Sequence, residues 1–297
     1  LDPEPGSIVP DQSQSEEPAQ AGARIIAVTN QKGGVGKTTT AINLSACLAQ
    51  TGRRVLMVDM DPQGNATSGV GIEKATISNC VYDVLLGDAD ARSVLLRGPI
   101  EGMDVMPSTL DLAAAEIELA AELSRENRLR SSLDPLRGSY DFIVIDCPPA
   151  LGLLTINSLA AADETLIPIQ CEYYALEGLV YLLRTIQRVK LHVNTELKIA
   201  GVLLTMFDTR TNLSKEVEAE VRREYPQMTF RTVIPRTVRL SEAPGFGKPI
   251  ILYDHASKGA WAYTELAKEV VQSGQARTGE GTGRPDRIGS GSGGEPS

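Results

Sequence analysis

The chain has 297 residues, with 29 Lys and Arg against 38 Asp and Glu and a formal net charge of −9. That length allows one large domain or two small ones around a sizeable core. No run approaches the roughly 18 apolar residues of a membrane span, no basic-then-apolar leader opens the chain, and Cys47, Cys80, Cys147 and Cys171 show no CxxC spacing. The composition speaks against a membrane-spanning or disulfide-built protein and predicts a cytoplasmic one with reduced cysteines in its core.

An acidic balance argues against a nucleic-acid partner, but its distribution weakens that argument. Residues 1–23 hold Asp2, Glu4, Asp11, Glu16 and Glu17 with no Lys or Arg, and residues 273–297 are neutral, so 24–272 keep only about −4. A local basic face is compatible with that remainder. Both ends are expected to be disordered, because neither has enough apolar side chains to offset ordering entropy. The first is rich in Pro, Gln, Ser and Glu and the last in Gly and Ser. One domain is predicted between them, over 24–272.

Along that domain, short apolar runs alternate with helical patterns. The first run, Arg24 to Asn30, is a predicted strand; Gln31-Lys32-Gly33-Gly34-Val35-Gly36-Lys37-Thr38-Thr39 follows, and a helical run begins at Thr40. Strand, glycine loop, Lys-Thr and helix in that order are the recipe for holding a nucleoside triphosphate. Gly33, Gly34 and Gly36 let the backbone take positive φ and approach phosphates. The N–H groups at the helix start point at the anion. Lys37 supplies charge for the β- and γ-phosphates, and the Thr38 hydroxyl is placed to ligate Mg²⁺. Residues 32–39 are thus a predicted cradle for ATP or GTP. Two departures from GxxxxGK[ST] are informative: Gln31 stands where the first glycine belongs, and Lys32 is a second lysine. Lying too far along the loop to repeat the work of Lys37, Lys32 could reach phosphates held by a second copy, which implies a homodimer closed over two nucleotides.

The next predicted strand, Val55 to Val58, runs into Asp59-Met60-Asp61-Pro62-Gln63-Gly64-Asn65. Asp59 and Asp61 lie two apart and share a face of an extended segment, so one could support a metal shell while the other orients an attacking water. A strand at 103–106 and helices over 110–123 and 126–137 follow. Phe142 to Ile145 then ends in Asp146-Cys147-Pro148-Pro149. A carboxylate closing an apolar strand needs a cation or a polar cleft. Asp146 is the expected partner of Mg²⁺, through a water, with Thr38 and Asp59 in the same metal group. Further strands are predicted at 165–169 and 199–204, and helices over 151–161, 175–191, 212–224 and 257–272. Strands this apolar predict an α/β fold, a mostly parallel twisted sheet wrapped by helices, with ligands at the carboxyl ends of the strands. From 210 to 248, eight basic residues face five acidic ones. Composition alone reads this as a solvated helix face, since Glu and Arg interleave along 216–224.

The segments KGGVGKTT with its extra lysine, VDMDPQGN, IVIDCPP, CEYYALEGL, GVLLTMFDTRTN and IPRTVRLSEAPGFGKPIILYD resemble the ParA/Soj family of chromosome- and plasmid-partitioning ATPases. That family belongs to the P-loop class with a deviant Walker A loop, which also includes MinD, and the likeness covers nearly all of 24–272. It implies slow, partner-stimulated ATP hydrolysis with Mg²⁺, with Lys32 reaching across the dimer, Gly33 permitting close apposition of subunits and Asp61 needed for hydrolysis. It places Pro235, Arg236 and Thr237 near the base and gives Arg210 and Arg239 contacts to nonspecific double-stranded DNA, reversing the bland reading of 210–248. A ParB-type centromere-binding partner and a nucleoid location are implied with it. Three rivals differ in testable ways. A MinD-like membrane-associated ATPase needs a C-terminal amphipathic helix, and 274–297 has no apolar stripe. An iron–sulfur ATPase of the nitrogenase reductase kind needs cysteines at the dimer face. A nucleotide-switched regulator with no partition role would leave no anucleate cells on deletion.

Overall fold

The computed structural model describes residues 22–173 and 175–279. The expected disordered tails fall largely outside these residues. At the two junctions the structure extends the domain: Ala23 is buried, its N–H donating to the Arg137 carbonyl, and the last helix runs past 272 to Gly279.

Among the described residues, eight strands form one sheet: β1 (Arg24–Val28), β2 (Val55–Asp59), β3 (Leu96–Arg97), β4 (Met103–Met106), β5 (Phe142–Asp146), β6 (Glu164–Gln170), β7 (Lys198–Phe207) and β8 (Thr229–Pro235). Their order is β3-β4-β2-β5-β1-β6-β7-β8, and every pairing is parallel except that of the two-residue β3 with β4. The expected mostly parallel α/β sheet is therefore the fold. β2 and β5 are buried at every residue, and separate apolar clusters cover the two faces of the sheet. At about 1.5–3 kcal/mol for each fully buried aliphatic side chain, these central strands dominate the stabilisation of the sheet.

The helices are α1 (Lys37–Gln50), α2 (Asn65–Gly69), α3 (Val81–Leu86), α4 (Leu112–Glu118), α5 (Arg128–Leu133), α6 (Leu153–Ala161), α7 (Ala175–His192), α8 (Asn212–Glu224), α9 (Val238–Glu242), α10 (Ile250–Tyr253) and α11 (Lys258–Gly279). α1 is buried on nearly all sides because it lies between the sheet and α11, whose fully buried Tyr263 sits 3.2 Å from the Thr40 hydroxyl. The helix predicted over 126–137 is broken. α5 keeps six residues, and 3₁₀ turns flank it at 125–127 and 134–139. Pro135 stops the helix at its C-terminal end, since it lacks the N–H that would continue the ladder, and at the other end Ser124, at a φ of 55°, precedes the 3₁₀ turn. The predicted 110–123 helix likewise contracts to α4 and a 3₁₀ turn at 119–121.

β8 was not expected, because Arg231 and Thr232 interrupt its apolar run. It is an edge strand, and Glu269 of α11 covers the edge by accepting from the Arg231 and Thr232 N–H groups at 2.8 and 3.1 Å. What the sheet does for function is alignment: Asp59 pairs in register with Asp146, and Asp146 with Val28 at the entrance to the glycine loop.

Candidate nucleotide site

The loop from Asn30 to Gly36 leaves the central strand β1 between β5 and β6. Gly34 and Gly36 have φ of 76° and 90°, where a side chain would be strained, but Gly33 does not, which corrects the expectation for that residue. A Cβ built on Gly33 meets nothing within 4 Å. Gly33 is thus unconstrained by the described residues, and both it and Lys32 are exposed. Asn30 braces the loop by accepting from the Lys32 N–H at 2.9 Å and donating to the Pro168 carbonyl at 2.8 Å. The Val35 side chain is buried and its carbonyl lies 2.8 Å from the Thr205 hydroxyl, so Val35 can serve a phosphate only through its main chain.

The two lysines differ in surroundings. Lys37 is buried, and its ammonium donates to the Lys32 carbonyl at 3.0 Å, spanning the loop. Burial pulls its pKa below the usual lysine value, and Asp146, Cys147 and Asp61 oppose that pull. Lys32 instead carries its ammonium at the surface, where it pairs with Glu172 just beyond β6. In a single chain, then, Lys32 is held by a carboxylate of its own subunit.

Among the acids, Asp146 stands out. It is fully buried, and neither of its carboxylate oxygens has a hydrogen-bond partner among the described residues. Desolvation and the neighbouring Asp59 push its pKa well above the usual carboxylate range, and the nearby Thr38 hydroxyl acts in the opposite direction without bonding it at normal geometry. An uncompensated buried carboxylate costs several kcal/mol. Both the orphaned oxygens and the hard oxygen donors of Asp146 and Thr38 fit a magnesium ion. Asp59 fits it less well than expected. Its Oδ2 accepts from the Thr67 N–H and hydroxyl at 2.8 and 2.7 Å and its Oδ1 from the Asp61 N–H at 3.2 Å. Those bonds only partly offset burial, which raises the Asp59 pKa to about 6. Asp59 is thus committed to tying α2 onto the end of β2. Asp61 lies close by, 8% exposed, with its Oδ1 accepting from Gln63 N–H at 2.9 Å.

Behind the loop lies a cavity of about 380 Å³ that brings Gly36 and Thr39 together with Pro235, Arg236 and Thr237. Tyr263, Ile234 and Met206 also line it. Met206 has a φ of 51°, uncommon for a side chain of its kind and stored at the rim of the cavity. Arg210 and Arg239 follow β7 and β8. Arg210 is exposed and gripped by Asp208 through Nε at 2.9 Å and Nη2 at 2.7 Å. Arg239 bonds Glu242 at 3.1 Å, pairs with Asp254 at 3.4 Å and lies 6.0 Å from the centre of the Tyr253 ring. Sequence reading did not single out Glu172, Thr205 or Thr67. Only the fold brings them to the loop and to Asp59.

A parallel sheet with this glycine loop after its central strand, two acids at adjacent strand ends and a cavity beside the loop defines a P-loop ATPase of the deviant Walker A type. A family model described as an AAA domain matches residues 23–199. The sporulation initiation inhibitor protein Soj of Bacillus subtilis (strain 168) is 60% identical over 251 residues, 84% of this chain and 99% of the relative. Chromosome partitioning protein ParA of Myxococcus xanthus (strain DK1622) is 55% identical over 249 residues, 84% and 88% of the two chains. Among solved structures, cobyrinic acid a,c-diamide synthase from Mycobacterium smegmatis, with bound ADP and magnesium, is 40% identical with a TM-score of 0.76, over 86% of this chain and 96% of that one. The chain belongs to the ParA/Soj family of chromosome-partitioning ATPases.

Proposed function

We propose that the protein binds ATP with Mg²⁺, closes into a homodimer over two nucleotides, and in that state holds double-stranded DNA without regard to sequence, releasing it after hydrolysis. A ParB-type centromere-binding protein stimulates the hydrolysis, which is slow until that partner engages, and is positioned as a result. The observation that carries this reading is the division of labour in the loop. Lys37 is buried within its own chain, whereas Lys32 is presented at the surface beside an exposed Gly33 that no contact requires.

In this reading Lys37 and the loop N–H groups bind the chain's own β- and γ-phosphates, and Pro235, Arg236 and Thr237 flank the base. Magnesium held by Thr38 and Asp146 would neutralise charge on the phosphates. Asp61 orients the attacking water. Lys32 exchanges Glu172 for a phosphate of the partner subunit, so closure breaks one exposed ion pair per subunit, each worth about 1 kcal/mol or less.

Arg210 and Arg239 likewise exchange carboxylate partners for DNA phosphates, which keeps binding weak per dimer. Two arginines per subunit neutralise about four phosphates, for a log–log salt slope near −3.6. Replacing both with Glu should abolish DNA binding while ATP-dependent dimerisation persists. Either single change to Ala should flatten the slope by about 2 per dimer, one contact from each subunit. The measurement is affinity for two unrelated duplexes across a salt series in ATP. An unchanged slope, or loss on only one duplex, would return 210–248 to a solvated face.

A further inference from the structure

The position of Asp61 is fixed from outside its own loop. Ser108 follows β4 by two residues and is fully buried, and its hydroxyl donates to the Asp61 carbonyl at 2.8 Å. The Ser108 N–H donates to the Thr67 hydroxyl at 3.0 Å. That hydroxyl donates its one hydrogen to Asp59 Oδ2 at 2.7 Å, and Asp59 Oδ1 takes the Asp61 N–H at 3.2 Å. The bonds close a ring, Asp61 to Asp59 to Thr67 to Ser108 and back to Asp61, whose four members are all buried. Donor directions are settled by chemistry, since an N–H can only donate and a carboxylate or carbonyl only accepts.

Two further contacts tighten the ring. Gly64 N–H donates to the same Asp61 carbonyl at 2.9 Å, and a Cβ on Gly64 would lie 2.8 Å from the Ser108 carbonyl oxygen, so the two segments approach as closely as a glycine permits. Lys74 Nζ donates to the Gln63 carbonyl at 2.6 Å, on the far side of the turn. Asp61 therefore cannot shift along the chain or rotate its peptide without breaking a bond to Ser108 or Asp59. A buried network satisfied at each of these atoms is rigid, and geometric error of about 1 Å at a reacting group can cost on the order of 100-fold in rate.

We infer that Ser108 and Thr67 are positioning residues for ATP hydrolysis, holding Asp61 through its main chain and through Asp59 so that its carboxylate meets the attacking water in one geometry. The inference rests on the reading of Asp61 as the water-orienting group. Neither serine nor threonine belongs to the phosphate loop, and the Ser108 hydroxyl is spent on the Asp61 main chain and the Thr67 hydroxyl on the Asp59 carboxylate, so their effect is on the chemical step.

The test is single-turnover hydrolysis by the full-length protein, with ATP affinity and thermal melting measured beside it. Ser108→Ala should slow hydrolysis about tenfold and leave ATP affinity within about twofold. Thr67→Val, which keeps the shape and removes the hydroxyl, should slow it at least as much, and Thr67→Ser should restore it to within about twofold. If Thr67→Val does not fold, the Ser108 variants decide alone. In an Asp61→Ala background, Ser108→Ala should add no further loss, because a positioning residue has nothing left to position. A purely structural role would slow both backgrounds by the same factor, and that result overturns the inference. So does an unchanged rate for Ser108→Ala beside a disabled Asp61→Ala. Wild-type hydrolysis by Asp61→Ala itself removes the reading of Asp61, and the inference with it.

Discussion

Replacing Lys37 with Ala should lower ATP affinity by about 100-fold or more and with it remove both dimerisation and DNA binding. The ammonium is the cation that this chain holds buried inside the loop, and deleting one partner of a buried charge pair costs on the order of 2–5 kcal/mol. Lys32 cannot substitute, because its ammonium is at the surface with Glu172. Folding should survive, since burial already disfavours the charged lysine and its hydrogen bond is to a loop carbonyl. Equilibrium binding of a fluorescent ATP analogue and gel filtration in ATP check this together. A Lys37→Ala protein that still dimerises with ATP would show that the loop is not the triphosphate site.

Changing Asp61 to Ala should have a different signature, with nucleotide binding retained and hydrolysis reduced at least ~100-fold, the lower range for a group that positions or activates a water. The protein should accumulate as an ATP-bound dimer. The local structure tolerates the change, because the Asp61 main chain makes the bonds to Ser108, Gly64 and Asp59, while its carboxylate accepts only from the neighbouring Gln63 N–H among the bonds described. Gel filtration or light scattering in ATP reads the dimer, and phosphate release reads the turnover. A monomeric, ATP-loaded Asp61→Ala protein would contradict the order in which binding, closure and hydrolysis occur.

The parts of this fold that could be read from the sequence are those where one physical demand dominates. β1 from Ile25 on, and β2 and β5 up to their closing acids, are buried on both faces, so these residues are continuously apolar and unmistakable. Asp59 and Asp146 were visible for the opposite reason, as charges closing those runs. β8 was hidden because an edge strand is half-exposed: Arg231 and Thr232 interrupt its apolar run, and Glu269 of α11 satisfies their outer N–H groups. The 126–137 helix failed at its C-terminal end on Pro135, a local signal that periodicity overrode.

At the site, the loop and the acids were legible as types of residue at spacings chemistry requires, but their partners were not. Asp59 fits its expected metal role less well because Thr67, eight residues on, occupies its Oδ2 through two bonds. Ser108 is 47 residues from Asp61 and Glu172 is 140 from Lys32. Contacts of that separation leave no periodicity in a single sequence, and only the register of the sheet brings them together.

ATP switching DNA binding on through a closed dimer is tested most directly by the affinity of the purified protein for one duplex, at fixed salt, with no nucleotide, with ADP and with ATP, beside the same series for Gly33→Val. Gly33 has ordinary φ and open space around it, so a branched side chain there leaves the single chain intact and crowds only an approaching subunit. The wild-type protein should bind DNA tightly in ATP alone, and Gly33→Val should bind ATP as a monomer and hold DNA in none of the three conditions. Equal DNA affinity in all three for the wild type, or normal ATP-dependent DNA binding by a monomeric Gly33→Val, would contradict the nucleotide sandwich as the switch.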